Sequence, residues 1–242
     1  MLTKSQVKLI SSLSQKKFRN QHGLFVVEGI KGIQEFLNSN LKLHQLFATA
    51  AVFNSETTLI SENELQKISN LKTPNVGLAI FEIPKPSPID DSQLLVALDD
   101  IRDPGNLGTI IRLCDWFGVE DLVCSSATVD CYNSKVIQAT MGSLARVNIS
   151  YVDLKLFLKS SEAEKFGTFM NGDSVFHENL PNKGILILGN EANGISAEIE
   201  ALVNRRISIP RFGHQQATES LNVATATAIF LSEFKRPSST EK

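Results

Sequence analysis

Two patterns of apolar residues divide the chain into elements: helical periodicity, and short runs that are apolar throughout. They predict a helix near 4–12, a strand in LFVV at 24–27, a helix near 30–38, a strand in LHQLFA at 43–48, a helix near 62–69 and a strand in VGLAIF at 76–81. In the second of these helices Ile30, Ile33 and Leu37 recur at about the 3.6-residue period that buries one face. Pro84, Pro86 and Pro88 then stand two apart, and each biases the residue before it toward an extended backbone, so 83–92 reads as a linker. It separates a small α/β domain, 1–88, from a larger one, 89–242.

Beyond the linker the runs LLVAL at 94–98, DLVC at 121–124, ARVNI at 145–149, GTFM at 167–170, GILIL at 184–188 and RISI at 206–209 read as strands, with helical segments between most of them. Apolar strands separated by helices predict an α/β fold with a mostly parallel sheet covered on both faces. A ligand then belongs beyond the carboxyl ends of the strands. A last helix, 221–234, precedes the polar KRPSSTEK with its Pro237, which reads as a frayed tail.

Composition excludes several classes. With 242 residues, 42% hydrophobic and 21% charged, the chain is neither collagen-like nor wholly disordered and can bury a large core. The N-terminus carries lysines but no signal-like apolar stretch, and nowhere do about 18 apolar residues run together, so a cytoplasmic protein off the membrane is expected. Cys114, Cys124 and Cys131 are odd in number and lack C-x-x-C spacing, which predicts inert thiols, no disulfide framework and no metal site. The net charge of −2 hides an asymmetry: residues 1–88 carry ten Lys/Arg against six Asp/Glu, and the remainder fourteen against twenty. That is either an electropositive face or the ordinary solvated surface of helices.

Three loops carry candidate chemistry. In LDDIRDPGNLGTIIRLCDWFG, 98–118, a strand ends, Asp103-Pro104-Gly105 turns the chain and Asn106 can cap an unusually apolar helix with Arg112 in its middle. A buried guanidinium needs an anion, so Arg112 either pairs within the protein, with Asp115 or a loop acid, or emerges to meet a ligand anion. In GILILGNEANGIS, 184–196, Gly189 and Gly194 permit a tight turn whose amides can approach a ligand. Their spacing is that of a phosphate loop, but Ile195 stands where the lysine is required, and there is no G-x-G-x-x-G. Glu191 is either an exposed turn carboxylate or an oriented acceptor. In RRISIPRFGHQQATESLNVATATAIF, 205–230, a polar loop leads to Thr218 or Ser220 as cap of a helix rich in small residues, and His214 reads as an ordinary loop histidine.

NLGTIIRLCDWFG, ILGNEANGIS and ISIP…ESLNVATATAI resemble, in this order, the three motifs of the SpoU (TrmH-like) RNA 2′-O-ribose methyltransferases of the SPOUT superfamily. FVVEG and its following helix resemble that family's accessory substrate-binding domain, similar to the ribosomal-protein L30e fold. The resemblance implies a deep C-terminal trefoil knot, S-adenosylmethionine bound there in bent form, and a homodimer through the C-terminal domain with the substrate site at or near its interface. It assigns Asn106, Arg112, Glu191, Ser220 and Asn222 to the catalytic set. Leu188, Gly189, Asn190, Glu191, Gly194, Ile209 and Leu221 would hold the cofactor, mainly through backbone groups. Two departures concern the third motif: Arg211 follows Pro210 where the family has Met, and six residues, HQQATE, separate Gly213 from Ser220 where about three are usual.

The implied reaction is attack of ribose O2′ on a sulfonium methyl, for which alignment and loss of the hydroxyl proton are the protein's tasks. Arginine is ordinarily protonated, so the safer physical role for Arg112 is stabilising charge on O2′ while fixing the adjacent phosphate. Lys4, Lys8, Lys16, Lys17 and Arg19 are the candidates for RNA backbone contact. An accessory domain is more typical of the family's ribosomal-RNA members than of its minimal transfer-RNA ones. The alternatives are an inactive RNA-binding relative that retains the cofactor, and a nucleotide-dependent metabolic enzyme on a flavodoxin-like sheet. Cofactor choice separates the second from the family reading.

Overall fold

In the computed structural model, which describes residues 2–213 and 220–236, most helices begin where a short polar side chain satisfies their first free amides. The expectations for His214, for Thr218 as a cap and for the tail from Pro237 lie outside the described residues. The chain divides into two compact units, one of Met1–Lys85 with Asp130–Arg146, the other of Pro86–Val129 with Val147–Lys242. That the stretch 130–146 belongs with the N-terminal unit has no mark in the hydrophobic pattern.

The first unit opens with α1 (Lys4–Ser12) and α2 (Lys16–His22), then β1 (Leu24–Glu28), α3 (Ile30–Leu37), β2 (Leu43–Ala48), the two-residue β3 (Thr58–Leu59), α4 (Glu62–Ile68) and β4 (Gly77–Glu82). Thr3 and Ser61 form capping boxes with Gln6 and Glu64. The Ser61 amide first, then the Leu2 amide and the Ser61 hydroxyl, donate to the Glu64 carboxylate and bring its pKa down to about 2. The sheet runs β1-β4-β2-β3, antiparallel except for β2 with β3. Phe25, Phe36 and Phe81 meet beneath it at ring separations of 5.5–6.0 Å.

The α2 helix was not predicted, because Phe18 is the sole apolar residue in KKFRNQH. Its anchor is Arg19, and this corrects the expectation that Arg19 meets RNA. The guanidinium is buried, donates to the carbonyls of Leu13 (2.8 Å) and Ser14 (2.9 Å) and pairs with Asp130. Its donors are spent inside the unit. Lys4, Lys8, Lys16 and Lys17 are exposed.

The second unit follows as β5 (Leu94–Asp99), α5 (Pro104–Phe117) and β6 (Asp121–Ser125), after which the chain supplies α6 (Ser134–Thr140) and a 3₁₀ turn, Ser143–Ala145, to the first unit. It resumes with β7 (Asn148–Val152), α7 (Leu154–Ser160), β8 (Lys165–Ser174), β9 (Gly184–Gly189), α8 (Ala197–Glu200), β10 (Arg205–Ser208) and α9 (Val223–Phe234). The strand expected at 145–149 starts later, at Asn148, which pairs with Asp121, while Ser143–Ala145 is helical. All six strands are parallel, in the order β10-β8-β9-β5-β6-β7.

Two caps differ from expectation. Asp103, not Asn106, caps α5 by accepting the Asn106 amide at 2.8 Å, with Pro104 at the first helical position. Asn222, not Ser220, caps α9, its Oδ1 accepting from Ala224 (3.0 Å) and Thr225 (3.2 Å). Both displacements leave an Asn side chain at the mouth of the same cleft.

Candidate functional site

Loops at the carboxyl ends of β5, β9 and β10 line a cleft of about 1800 Å³. That exceeds the roughly 300–1,000 Å³ of one small-molecule site and leaves room for part of a second ligand. One wall is the turn after β9. Asn190 and Gly194 exchange backbone hydrogen bonds of 2.9 Å, Asn190 Oδ1 accepts from Ala192 and Asn193, and its Nδ2 donates to the Asp100 carbonyl at 2.7 Å. Gly194 adopts φ +70°, and a Cβ on Gly189 would stand 2.1 Å from backbone atoms of Gly194 and Ile195, so both positions need glycine, for different reasons.

The turn after β5 is fixed to it. Glu191 accepts from the amides of Arg102 (3.4 Å) and Asp103 (3.2 Å) and from Asn106 Nδ2 (3.0 Å). Asn106 Oδ1 in turn accepts from Asn222 Nδ2 at 2.8 Å. The direction of this relay is determined. Two α9 amides need an acceptor, which orients the Asn222 amide; that orients Asn106, which turns its own NH₂ to the Glu191 carboxylate. The first, second and third loops are thereby joined by three side chains. Asp99 Oδ2 adds a further tie by accepting the Ser196 amide at 2.7 Å. Arg102, also on the wall, is gripped by both carboxylate oxygens of Asp100 (2.9 and 2.8 Å), which pushes its pKa further up.

All the expected cofactor residues, Leu188, Gly189, Asn190, Glu191, Gly194, Ile209 and Leu221, line the cleft, together with Asn106, Ser220 and Asn222. Arg112 does not. It stands on α5 six residues beyond Asn106, about 9 Å farther along the axis, on an exposed stripe with Thr109 and Trp116. No ion pair to Arg112 forms among the described residues, so the reading of an internal pair with Asp115 or a loop acid is corrected. Trp116 is 83% exposed, so the unusually apolar helix is not buried on all sides. The cleft also takes Thr168, Phe169 and Met170 from β8 and Arg102 from the first loop, which no motif indicated. The strand order, which sets β8 beside β9, brings the three β8 residues there, and Arg102 arrives with the turn after β5.

The arrangement limits the chemistry. Ile195 is buried where a phosphate loop has its lysine, so the turn suits a ligand without phosphates. All three cysteines are buried, and burial pushes the Cys114 thiol up to about 12, which leaves it un-ionised near neutral pH. Among the described residues no group of His, Cys, Asp and Glu could hold a metal ion, and no helix is long and apolar enough to cross a membrane.

The profile of the SpoU rRNA Methylase family matches residues 93–232, the stretch that holds every loop of the cleft. The chain belongs to that family. Residues 4–79 match the MRM3-like substrate binding domain. Across 93% of this chain and 94% of its relative, the sequence is 29% identical to the 23S rRNA (guanosine(2553)-2'-O)-methyltransferase RlmP of Bacillus subtilis. Among solved structures it resembles a TrmH-family protein from Porphyromonas gingivalis, with TM-score 0.89, 35% identity and coverage of 98% of this chain and 99% of the other. It also resembles an AdoMet-bound rRNA methyltransferase from Sinorhizobium meliloti, with TM-score 0.84, 29% identity and coverage of 98% and 96%. The SpoU match takes in most of the second unit together with the excursion 130–146.

Proposed function

We propose that this chain is an S-adenosylmethionine-dependent RNA methyltransferase that modifies a ribose 2′-hydroxyl of ribosomal RNA, and that it works as a cytoplasmic homodimer. The observation that carries this reading is the relay Asn222–Asn106–Glu191, which joins the three family motifs at one cleft. Membership of the SpoU family, and relatives that act on ribosomal RNA, support the reaction and the substrate.

The cleft fits the cofactor. Leu188, Ile209 and Leu221 give apolar contact, the backbone groups of 189–194 not spent within the turn give polar contact, and no cation at 195 awaits a phosphate. When bound, S-adenosylmethionine supplies a sulfonium methyl as electrophile. The protein then has to align O2′ with it and accommodate loss of the hydroxyl proton. Glu191 and Asn106, fixed by donors on three elements, orient the ribose without reorganising, and Ser220 and Asn222 shape the adjoining wall. Arg112 acts on the ribose and its phosphate only in a dimer, since within one chain it stands outside the cleft. The deep trefoil knot is part of this proposal; the placement of β8 between β10 and β9 supports it. Lys4, Lys8, Lys16 and Lys17 take the RNA backbone.

The test is transfer of labelled methyl groups to total RNA, with mapping of the modified nucleotide. A 2′-O-methyl group in ribosomal RNA is expected; no transfer to any RNA by protein that binds the cofactor would point to the inactive relative.

A further inference from the structure

We infer that the first unit holds a pocket for one unstacked nucleobase of the substrate RNA, formed by α3, residues 52–55 and Met141; it rests on the RNA reading above. The pocket measures about 440 Å³, within the range of small-molecule sites. Its polar wall comes from α3, where Lys31, Gln34 and Asn38 follow at helical spacing along one face. Asn54 joins them from the loop after β2. Among the described residues no hydrogen bond or ion pair occupies the side chains of Lys31, Gln34, Asn38 or Asn54. Each amide offers both a donor and an acceptor, the combination that matches a base edge, and unpaired bases are what sequence-reading RNA proteins engage. Lys31 adds a positive charge for the neighbouring phosphate. The pocket's one carboxylate, Glu35, pairs with Arg146 at 3.0 Å, which offsets its repulsion of RNA.

The apolar wall is unusual. Val52 is 40% and Met141 54% exposed, so neither is there to fill the core. Met141 has φ +50° and Gly142 follows at +95°, backbone that glycine adopts freely and methionine does not. A Cβ on Gly142 would come within 2.5 Å of Glu35 Cβ, so the turn lies tight against α3 and fixes Met141 at the pocket. Met141 closes α6 in this left-handed conformation, its amide donating to the Gln138 carbonyl, and so presents at the pocket an exposed thioether, a favourable partner for an aromatic ring.

Three variants of the full chain separate the possibilities. Met141→Gly removes the apolar wall and relieves the backbone; Gln34→Ala with Asn38→Ala removes the reading edge; Lys31→Ala removes only charge. Their affinities for labelled single-stranded octamers of A, of C, of U and of alternating G and U are measured beside melting temperature. The wild type is expected to prefer one octamer. M141G should melt no lower yet bind that octamer about tenfold more weakly, and the double variant should lose the preference. No preference in the wild type, wild-type binding by M141G and the double variant, or a loss confined to K31A and equal for all octamers would overturn the proposal. Methyl transfer to total RNA, run on the same preparations, tests the enzyme reading separately, so a failure of either reading is visible without the other.

Discussion

Two arginines exchange the roles that sequence alone suggests for them. Arg19 lies in a lysine-rich stretch and invites an RNA role, yet its guanidinium is buried against Asp130 and two carbonyls. Arg112 lies in an apolar helix and invites an internal ion pair, yet it is exposed. Their alanine variants should therefore diverge. R19A leaves Asp130, itself mostly buried, without its partner, and is expected to cost about 3–5 kcal/mol in denaturant unfolding. R112A removes no buried contact and should stay within about 0.5 kcal/mol of wild type. It should nevertheless lower single-turnover methyl transfer on the order of 10²-fold or more, with cofactor affinity little changed, if its charge acts mainly in the transition state. Arg112→Lys keeps the charge without the planar fork and should recover only a small part of the rate. Near-normal transfer by folded R112A at saturating RNA would remove Arg112 from the catalytic set.

At the scale of elements, period and punctuation served where the signal was local. The apolar runs at 24–27, 94–98 and 184–188 are buried strands, since each is apolar enough to need cover on both sides. The signal failed where a distant group does the anchoring, as Asp130 does for α2, and where two polar residues compete for one cap, as Asp103 and Asn106 do. The loops of the cleft were visible because glycine, proline and asparagine punctuate them; the contribution of β8 was not, because strand order is no property of a segment. The turn after β9 yields the prediction at this scale. In Gly189→Ala the added carbon meets backbone at 2.1 Å, and a backbone atom cannot swing aside as a side chain does. The turn must open, which moves Glu191 from Asn106. Calorimetry should find cofactor binding lost or weakened at least tenfold while the unfolding midpoint falls modestly; unchanged affinity would show that the turn does not touch the cofactor.

For the whole molecule, the exposed face of α5 bears on the proposed dimer. Trp116 is 83% exposed, with Leu113 and Phe117 half-buried beside it, and α9, which packs on α5, adds the half-buried Ala228 and Ile229. An apolar surface of this kind on a monomer is a liability, and the symmetric dimer proposed above would cover it. Sedimentation should give twice 26.6 kDa at micromolar protein, and Trp116→Glu should shift it toward the monomer and lower transfer with it. A monomer with full activity would overturn both the dimer and the role given to Arg112.

The same scale decides what truncation does. Every residue of the relay belongs to the second unit, so a chain lacking 1–88 should still bind S-adenosylmethionine and lose most RNA affinity. The cut is not clean, however, because Asp130–Arg146 is completed by residues it removes. Tyr132 loses the Phe25 ring at 4.7 Å, Asp130 loses Arg19 and Arg146 loses Glu35. In the full chain, burial first and the neighbouring Cys131 and Asp130 next push the Tyr132 hydroxyl above its usual range. With that cover gone, its ionisation should return toward about pH 10, so an absorbance titration of the truncated protein should show an added tyrosinate near that pH that the folded full chain withholds. A lower melting temperature should accompany it. If calorimetry on the folded truncated protein finds no cofactor binding, the assignment of cofactor and RNA to separate units is wrong; if the tyrosine stays silent, residues 130–146 fold without the first unit's help.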